Sequence, residues 1–217
     1  MKVIDPSFEL IDPPRYQQVL NVIEMAGRTC YQSAPKGDPE TFVRSLIKSG
    51  HHSVIEHISL TAKIVCDRGV SHELVRHRLC SFSQESTRYC NYSKGKFGGE
   101  ITVLSPFFWT DSPGGFSKKS KEFFRWEQAM LAAEHSYLTL LNWGATAQEA
   151  RSVLPNSLAT TVIMTANLRE WRHILKLRCS KAAHPQMREV MLLGFDQCID
   201  QYPVFFDDIE VYRCPKK

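Results

Sequence analysis

Between residues 71 and 92, the chain concentrates arginine, carboxylate and hydroxyl side chains in the run SHELVRHRLCSFSQESTRYCNY. The arginines of this run are Arg76, Arg78 and Arg88. A guanidinium group donates two parallel hydrogen bonds to a phosphate or a carboxylate, so these residue types suit an anionic ligand. Neither of two glycine-rich phosphate-binding motifs, GxxxxGKS/T and GxGxxG, occurs in the chain. We therefore expect arginine side chains to do much of the binding of any phosphate.

The tripeptide Arg76-His77-Arg78 ends a short helix that we predict over residues 71–78, with Ser71 as its cap. Successive side chains on a helix diverge by about 100°, so the three side chains cannot share one face. One interpretation is a ligand site completed by hydroxyl groups and by Arg88 in the following loop. The other is a basic last turn that complements the helix dipole and stays in solvent. The tripeptide alone does not decide between them.

Three histidines and a carboxylate lie within residues 51–57, HHSVIEH, and invite comparison with a metal site. His52 and His57 are five residues apart, which fits no standard zinc pattern, so a metal is the weakest interpretation. Two interpretations remain open. His57 is hydrogen-bonded by Glu56 or by the backbone within the fold, or the segment contacts an organic cofactor.

A second basic cluster occupies a predicted helix over residues 168–179, on which Arg169 and His173 share a face. Asn167 is expected to cap this helix. A helix start that carries an arginine in its first turn is suited to an anion, although a solvated basic face is the alternative. Arg151, considered alone, is a surface arginine. The spacing of residues supports no nucleophile role for Ser86 or for any cysteine.

The elements that must position these groups follow from hydrophobic periodicity and from capping residues. Helices are predicted over residues 16–27, 39–49, 71–78, 117–143, 147–154, 168–179 and 184–201. Strands are predicted over residues 2–10, 58–66, 100–104, 157–166 and 204–211, with an irregular connection over 79–97 and a surface turn over 111–121. These elements predict an α+β fold, a single domain over residues 1–217 in which a small, mostly antiparallel sheet packs against several helices.

Composition narrows the class of protein. The 217 residues carry a formal net charge of +4, which permits an anionic substrate but is too weak to indicate nucleic-acid binding. Seven cysteines without a CxxC pair disfavour a disulfide framework and a cysteine zinc cluster, and are typical of reduced thiols in a cytoplasm. The first residues, MKVIDPSFEL, lack the apolar run of a signal peptide, and no apolar stretch approaches transmembrane length.

The arrangement of Arg76-His77-Arg78, then seven residues, then Ser86 resembles the RHR-x7-S signature of the flavin-dependent thymidylate synthases. Four further blocks are similar to the family in order and approximate spacing: HHSVIEH, EARSVLP, TANLREWRH and KLRCSKAAH. The resemblance covers nearly the whole chain. It implies an FAD enzyme that methylates dUMP with carbon from 5,10-methylenetetrahydrofolate and reducing equivalents from NADPH. It also implies a homotetramer whose active sites are shared between subunits.

The resemblance assigns roles residue by residue. The positions that it places at FAD are His51, Ser53, Arg76, His77, Arg78, Gln84, Asn167, Arg169 and His173. The positions that it places at dUMP are Glu73, Leu74, Val75, Arg76, Gln84, Glu85, Ser86, Thr87, Arg88, Arg151 and Arg178. Many family members carry an acid where Gln84 stands, so either Gln84 or Glu85 is expected to make that contact.

Arg178 matches the family residue that activates the uracil and is the expected catalytic group. An arginine is too basic to act as a general base, but it stabilises negative charge that develops on the ring. The family requires no cysteine nucleophile, and no metal is expected. Two other classes remain as alternatives: a nucleotide-binding or nucleic-acid-binding module without catalysis, and a histidine metalloenzyme.

Overall fold

The computed structural model describes residues 1–110 and 120–213. Its strands are β1 (Lys2–Ile4), β2 (Ser7–Ile11), β3 (Ser59–Asp67), β4 (Cys80–Gln84), β5 (Thr102–Leu104) and β6 (Ala159–Asn167). Its α-helices are α1 (Tyr16–Thr29), α2 (Pro39–Lys48), α3 (Arg68–Leu74), α4 (Lys121–Asn142), α5 (Ala147–Ala150), α6 (Leu168–Arg178), α7 (Pro185–Gln201) and α8 (Pro203–Phe206). Short 3-10 helices span His52–His57, Gly95–Phe97, Phe107–Trp109 and Arg151–Val153.

The main sheet has four antiparallel strands in the order β2-β3-β6-β4. The central pair runs in full register, with Ser59 opposite Asn167 at one end and Asp67 opposite Ala159 at the other. Strands β1 and β5 form a separate parallel pair, which a bridge between Val103 and Leu158 joins to the segment before β6. The predicted α+β fold with a mostly antiparallel sheet is confirmed.

Alternation of side chains puts one face of β3 and β6 in the core. The inward residues of the two strands are Leu60, Ala62, Ile64, Cys66, Thr160, Val162, Met164 and Ala166. Helix α6 is held to this sheet by Trp171, which is fully buried and donates from its indole nitrogen to the Leu60 carbonyl at 3.0 Å. The indole also packs against the ring of Phe8 of β2 in a T-shaped arrangement, with ring centroids 5.8 Å apart. Burial of so large an aromatic side chain fixes where α6 lies.

Several helix starts form as their capping residues predict. The Asp38 carboxylate accepts from the Thr41 backbone, and the Asn167 side chain accepts from the Glu170 backbone. Thr146 and Glu149 form the expected capping box. Each cap satisfies backbone N–H groups that have no partner within the helix, so local sequence is enough to place the start.

The helix expected over residues 71–78 is wrong in both bounds. It begins at Arg68 and ends at Leu74, and its cap is Asp67, whose carboxylate accepts from the Val70 backbone at 2.6 Å. Ser71 lies inside the helix, fully buried, and its hydroxyl bonds back to the Arg68 carbonyl. The acid at the end of β3 therefore caps the helix instead of the serine four residues later.

Three other expectations need correction. The strand expected over residues 204–211 is instead α8 followed by irregular chain, because Pro203 suits a first helical turn and Val204, Phe205 and Phe206 are all buried, without alternation. The irregular connection over 79–97 contains strand β4, and the strand over 2–10 is divided into β1 and β2. The surface turn expected over 111–121 and the helix start expected at 117 fall largely outside the described residues.

Among the residues that the model describes, no helix is both long enough and apolar enough to cross a membrane.

Candidate active site

The three residues Arg76, His77 and Arg78 form a turn after α3, not its last residues. The backbone N–H of His77 donates to the Leu74 carbonyl at 3.0 Å, which closes this turn. His77 is 6% exposed, whereas Arg76 and Arg78 are exposed. The tripeptide thus sends its imidazole into the protein and its two guanidinium groups outward.

Arg178, at the last position of α6, is the side chain that meets this buried imidazole. Its Nε donates to Nε2 of His77 at 3.0 Å. One terminal nitrogen donates to the Glu73 carboxylate at 2.8 Å, and the other to the Glu73 carbonyl at 3.3 Å. A guanidinium group carries five N–H donors, so these contacts hold the group in place and leave two donors for a ligand.

His77 is neutral in this environment. Burial, together with the positive charge of Arg178 and the neighbouring His173, lowers the pKa of His77 from its ordinary value of 6.5 to about 4. Because Nε2 accepts from Arg178, the proton of the neutral ring resides on Nδ1. Nδ1 lies 3.5 Å from a carboxylate oxygen of Glu170, which is itself only 9% exposed.

His77, Glu170 and His173 could each offer a ligand atom to a metal ion, with these atoms within 4.8 Å of one another. This set differs from the histidines of residues 51–57. The hydrogen bond from Arg178 argues against a metal here, because it requires the lone pair of Nε2 and so keeps a proton on Nδ1. Nδ1 is the nitrogen that faces Glu170 and would have to ligate the metal.

Segment 51–57 is connected to α6 through the carboxylate of Glu56. Glu56 accepts from Arg169 of α6 at 2.6 Å, so it is not the partner of His57 that the sequence suggested. This ion pair is largely exposed and is worth less than about 1 kcal/mol, but it ties the segment to α6. Ser53 is exposed on the 3-10 helix of this segment, and His51 is exposed just before it. The side-chain oxygen of Asn167 is already engaged as the cap of α6.

Gln84 and Glu85 both have partners within the chain. Gln84 donates to the hydroxyls of Ser71 and Thr160, at 2.9 and 3.2 Å. Glu85 accepts from the Tyr92 hydroxyl at 3.0 Å. Both side chains are therefore held in place by hydrogen bonds within the chain.

Thr87, in the loop that follows β4, lines a cavity of about 260 Å³. Residues with polar side chains that line it are Arg68, His72, Thr87, Arg151, Ser152 and Asn156. The family resemblance placed Thr87 and Arg151 at the same ligand, but it did not include Arg68 and His72. Arg68 and His72 are four residues apart on α3 and therefore lie on one helix face. The helix predicted over residues 71–78 excluded Arg68, so this spacing was not recognised.

Helix α3 links this cavity to Arg178. Arg68 in its first turn and His72 one turn later line the cavity, and Glu73 near its end contacts Arg178. The seven residues of α3 span about 10 Å, so the cavity lies near the start of this helix and the Arg178 contact lies near its end. Val75, also expected at this site, is exposed beyond the helix, whereas the Leu74 side chain is fully buried and only its backbone remains available.

Comparison with known proteins agrees with this architecture. The family model described as thymidylate synthase complementing protein matches residues 12–204. A flavin-dependent thymidylate synthase from Mycolicibacterium vanbaalenii is 34% identical over 201 residues, covering 88% of this chain and 79% of that protein. One from Corynebacterium efficiens is 32% identical over 204 residues, with the same two coverages. The chain therefore belongs to the family of flavin-dependent thymidylate synthases.

A solved structure shares the fold. The UMP/dUMP methylase PolB from Streptomyces cacaoi, bound with 5-Br dUMP, superposes with a TM-score of 0.75 at 24% identity. The match covers 95% of this chain and 96% of that one. At this level of identity, the likeness supports the fold alone.

The lowered pKa of His77 predicts how stability depends on pH. Between about pH 6.5 and 4 the unfolded chain binds a proton at this residue that the folded chain does not, so its stabilising contribution is present above pH 6.5 and is lost as the pH falls. From pH 7 to pH 5 this loss amounts to about 2 kcal/mol. Urea unfolding at the two pH values should show a smaller difference for His77→Gln than for the unchanged protein. Equal differences would contradict a neutral, buried His77.

Proposed function

We propose that this chain is a flavin-dependent thymidylate synthase that converts dUMP to dTMP. The methylene group comes from 5,10-methylenetetrahydrofolate, and the reducing equivalents pass from NADPH to FAD. The observation that carries the proposal is Arg178, held by Glu73 and His77 near the end of the helix whose start lines an arginine-bearing cavity, in a chain of this family. Such an arrangement offers a cation for a phosphate and a second, fixed cation for a ring that becomes negatively charged.

The cavity lined by Thr87 and Arg151 is the proposed site of the dUMP phosphate. Arg151 is exposed, and within residues 1–110 and 120–213 it has no ion-pair partner. Arg88 lies on the adjoining loop, where its guanidinium sits 5.5 Å from the centre of the Tyr89 ring. Arginine side chains without an acidic partner retain their full capacity to bind phosphate. Ser86 holds nucleotide in this proposal and is not a nucleophile.

Arg178 is the proposed catalytic group for the uracil. A guanidinium group is a hydrogen-bond donor without an acceptor, so Arg178 is proposed to donate and not to act as a base. It can stabilise the oxygen of the uracil as the ring becomes enolate-like, because three of its donors are already fixed by the protein and little reorganisation is needed. The remaining two donors are the ones available to the substrate.

The donors proposed for FAD fit an anionic dinucleotide. Arg76 and Arg78 are exposed and form no ion pair within the described part of the chain, which makes them suitable for the pyrophosphate. Arg169 would have to share its charge with Glu56. The other residues proposed to contact FAD are His51, Ser53, His77, Gln84, Asn167 and His173. The flavin, when bound, supplies the hydride chemistry, and the protein supplies orientation.

A homotetramer with shared active sites is part of the proposal. Large apolar side chains flank the candidate site and are exposed in the single chain: Val75, Leu79, Tyr89 and Leu177, at 41, 74, 80 and 46%. Apolar groups of this size beside outward-facing arginines are typical of a surface that another subunit covers. A ligand held between such surfaces would contact more than one subunit.

The visible absorption spectrum tests the cofactor. We expect the purified protein to show oxidised-flavin bands that bleach when NADPH is added anaerobically with dUMP present. A protein that stays colourless after incubation with FAD and removal of the excess would contradict the proposal. It would favour the binding module without catalysis.

Substitution of Arg178 tests its role. Arg178→Ala removes the fixed donors, so dTMP formation should fall by roughly 10²–10³-fold or more while FAD stays bound. The matched control is Lys176→Ala, which removes an exposed cation from the same helix. Near-normal turnover of Arg178→Ala would exclude the assigned role.

Sedimentation tests the assembly. The protein is expected to sediment as a tetramer, and Leu79→Glu is expected to weaken assembly and activity together, because it places a charge on the proposed covered surface. A monomer that retains full activity would contradict shared active sites.

A further inference from the structure

Glu170 is a buried acid with no role in the proposal so far. Its side chain is 11% exposed, in the first turn of α6. Burying a carboxylate is unfavourable unless polar groups surround it. The group that it faces is the Nδ1 side of the His77 ring.

The ring of His77 lies between Glu170 and Arg178. An acceptor on one side and a donor on the other select a single tautomer, with the proton on Nδ1 and a free lone pair on Nε2. Only this neutral tautomer can accept the N–H of Arg178. With the proton on Nε2 instead, two donors would face each other at 3.0 Å.

His77 is also the buried member of the contacts that hold Arg178. The other member, Glu73, has a side chain that is 39% exposed, whereas the His77 side chain is 5% exposed. A buried contact fixes direction better than a solvated ion pair, because water competes less for it. The orientation of the guanidinium therefore depends strongly on the state of the imidazole.

We propose that Glu170 is a positioning residue, which acts through His77 to hold the guanidinium of Arg178 in the orientation that the substrate requires. This inference rests on the role proposed above for Arg178. Glu170 makes no contact with the substrate in this arrangement. His77, in turn, supports Arg178 from inside the protein, and His173, whose ring centre lies 5.9 Å from that of His77, is the exposed neighbour of the pair.

Two substitutions separate positioning from a purely structural role. Glu170→Ala removes the acceptor, and Glu170→Gln keeps an amide oxygen that can face Nδ1–H. Both remove the same negative charge from the first turn of α6, so any effect on the helix dipole is common to them. We expect kcat for dTMP formation to fall 10–100-fold in Glu170→Ala, a range typical of misoriented reacting groups, and to stay within about threefold in Glu170→Gln.

A double-mutant cycle shows whether the effect passes through Arg178. The cycle is repeated in an Arg178→Lys background, with the rate of dTMP formation measured by single turnover. There Glu170→Ala should cause no further loss of rate, because the guanidinium that Glu170 orients is already absent. The same fold-loss in both backgrounds would overturn the proposal. Asp208→Asn is the matched control. Asp208 pairs with Arg172 on α6 and not with His77 or Arg178, and its substitution should leave kcat within about twofold.

A measurement without turnover tests the tautomer directly. In protein labelled with ¹⁵N at histidine, the His77 signals are identified by their loss in His77→Gln. We expect the Nδ1-protonated form in the unchanged protein and in Glu170→Gln. In Glu170→Ala we expect a mixture of tautomers, because without the acceptor at Nδ1 the ring can turn, the Arg178 guanidinium can move away from Nε2, and its contact no longer fixes the tautomer. A single Nδ1-protonated form in Glu170→Ala would refute the positioning role of Glu170.

The outcomes also distinguish this inference from the proposed function. Full activity of Arg178→Ala would remove the role of Arg178, and the inference with it. Loss of activity in Arg178→Ala, combined with normal kcat in Glu170→Ala, would overturn the inference alone.

Discussion

The antiparallel pairing of β3 with β6 is the constraint on which the candidate site depends. Its register puts Asn167 beside Ser59 and Asp67 beside Ala159, so the helix that follows each strand begins at an opposite end of the pair. β4 then pairs with β6 with Cys80 opposite Ala166. The chain between α3 and β4 must therefore return to the end where α6 begins. That requirement brings the turn of residues 76–78 to α6, although Arg178 lies 101 residues from His77 along the chain.

The polar groups of the site differ in burial, and the roles proposed for them differ accordingly. The guanidinium groups of Arg76 and Arg78 remain at the surface, where charge is well solvated and a ligand can reach it. The imidazole between them is buried, and it is neutral because burial and the Arg178 cation both oppose its protonation. A neutral imidazole can serve as an acceptor, which a protonated one cannot. Within these three residues, the two exposed arginines are therefore available to bind an anion, and the buried histidine between them is available to orient Arg178.

Local patterns in the sequence were enough to predict most elements. Asp38, Asn167 and the Thr146–Glu149 pair mark helix starts because a cap needs only a side chain and the next three backbone N–H groups. Residues 58–66 alternate clearly enough to predict a strand. The patterns misled where two local signals competed, as at α3, where Asp67 and Ser71 are both capable caps. They also misled after Pro203, where consecutive apolar residues suited a strand as well as a buried helix.

The sequence by itself determined the α+β class, the positions of most helices and strands, and the motif residues, since these depend on spacing over a few residues. Resemblance of five short blocks was enough for the family, because their order is a property of the chain. Only the tertiary structure decided which residues meet. It turned His77 inward onto Arg178, placed Glu170 behind it, paired Glu56 with Arg169, and brought Arg68 and His72 to the cavity of Arg151. Each of these contacts depends on strand register and helix packing between distant segments, and local periodicity carries no information about either.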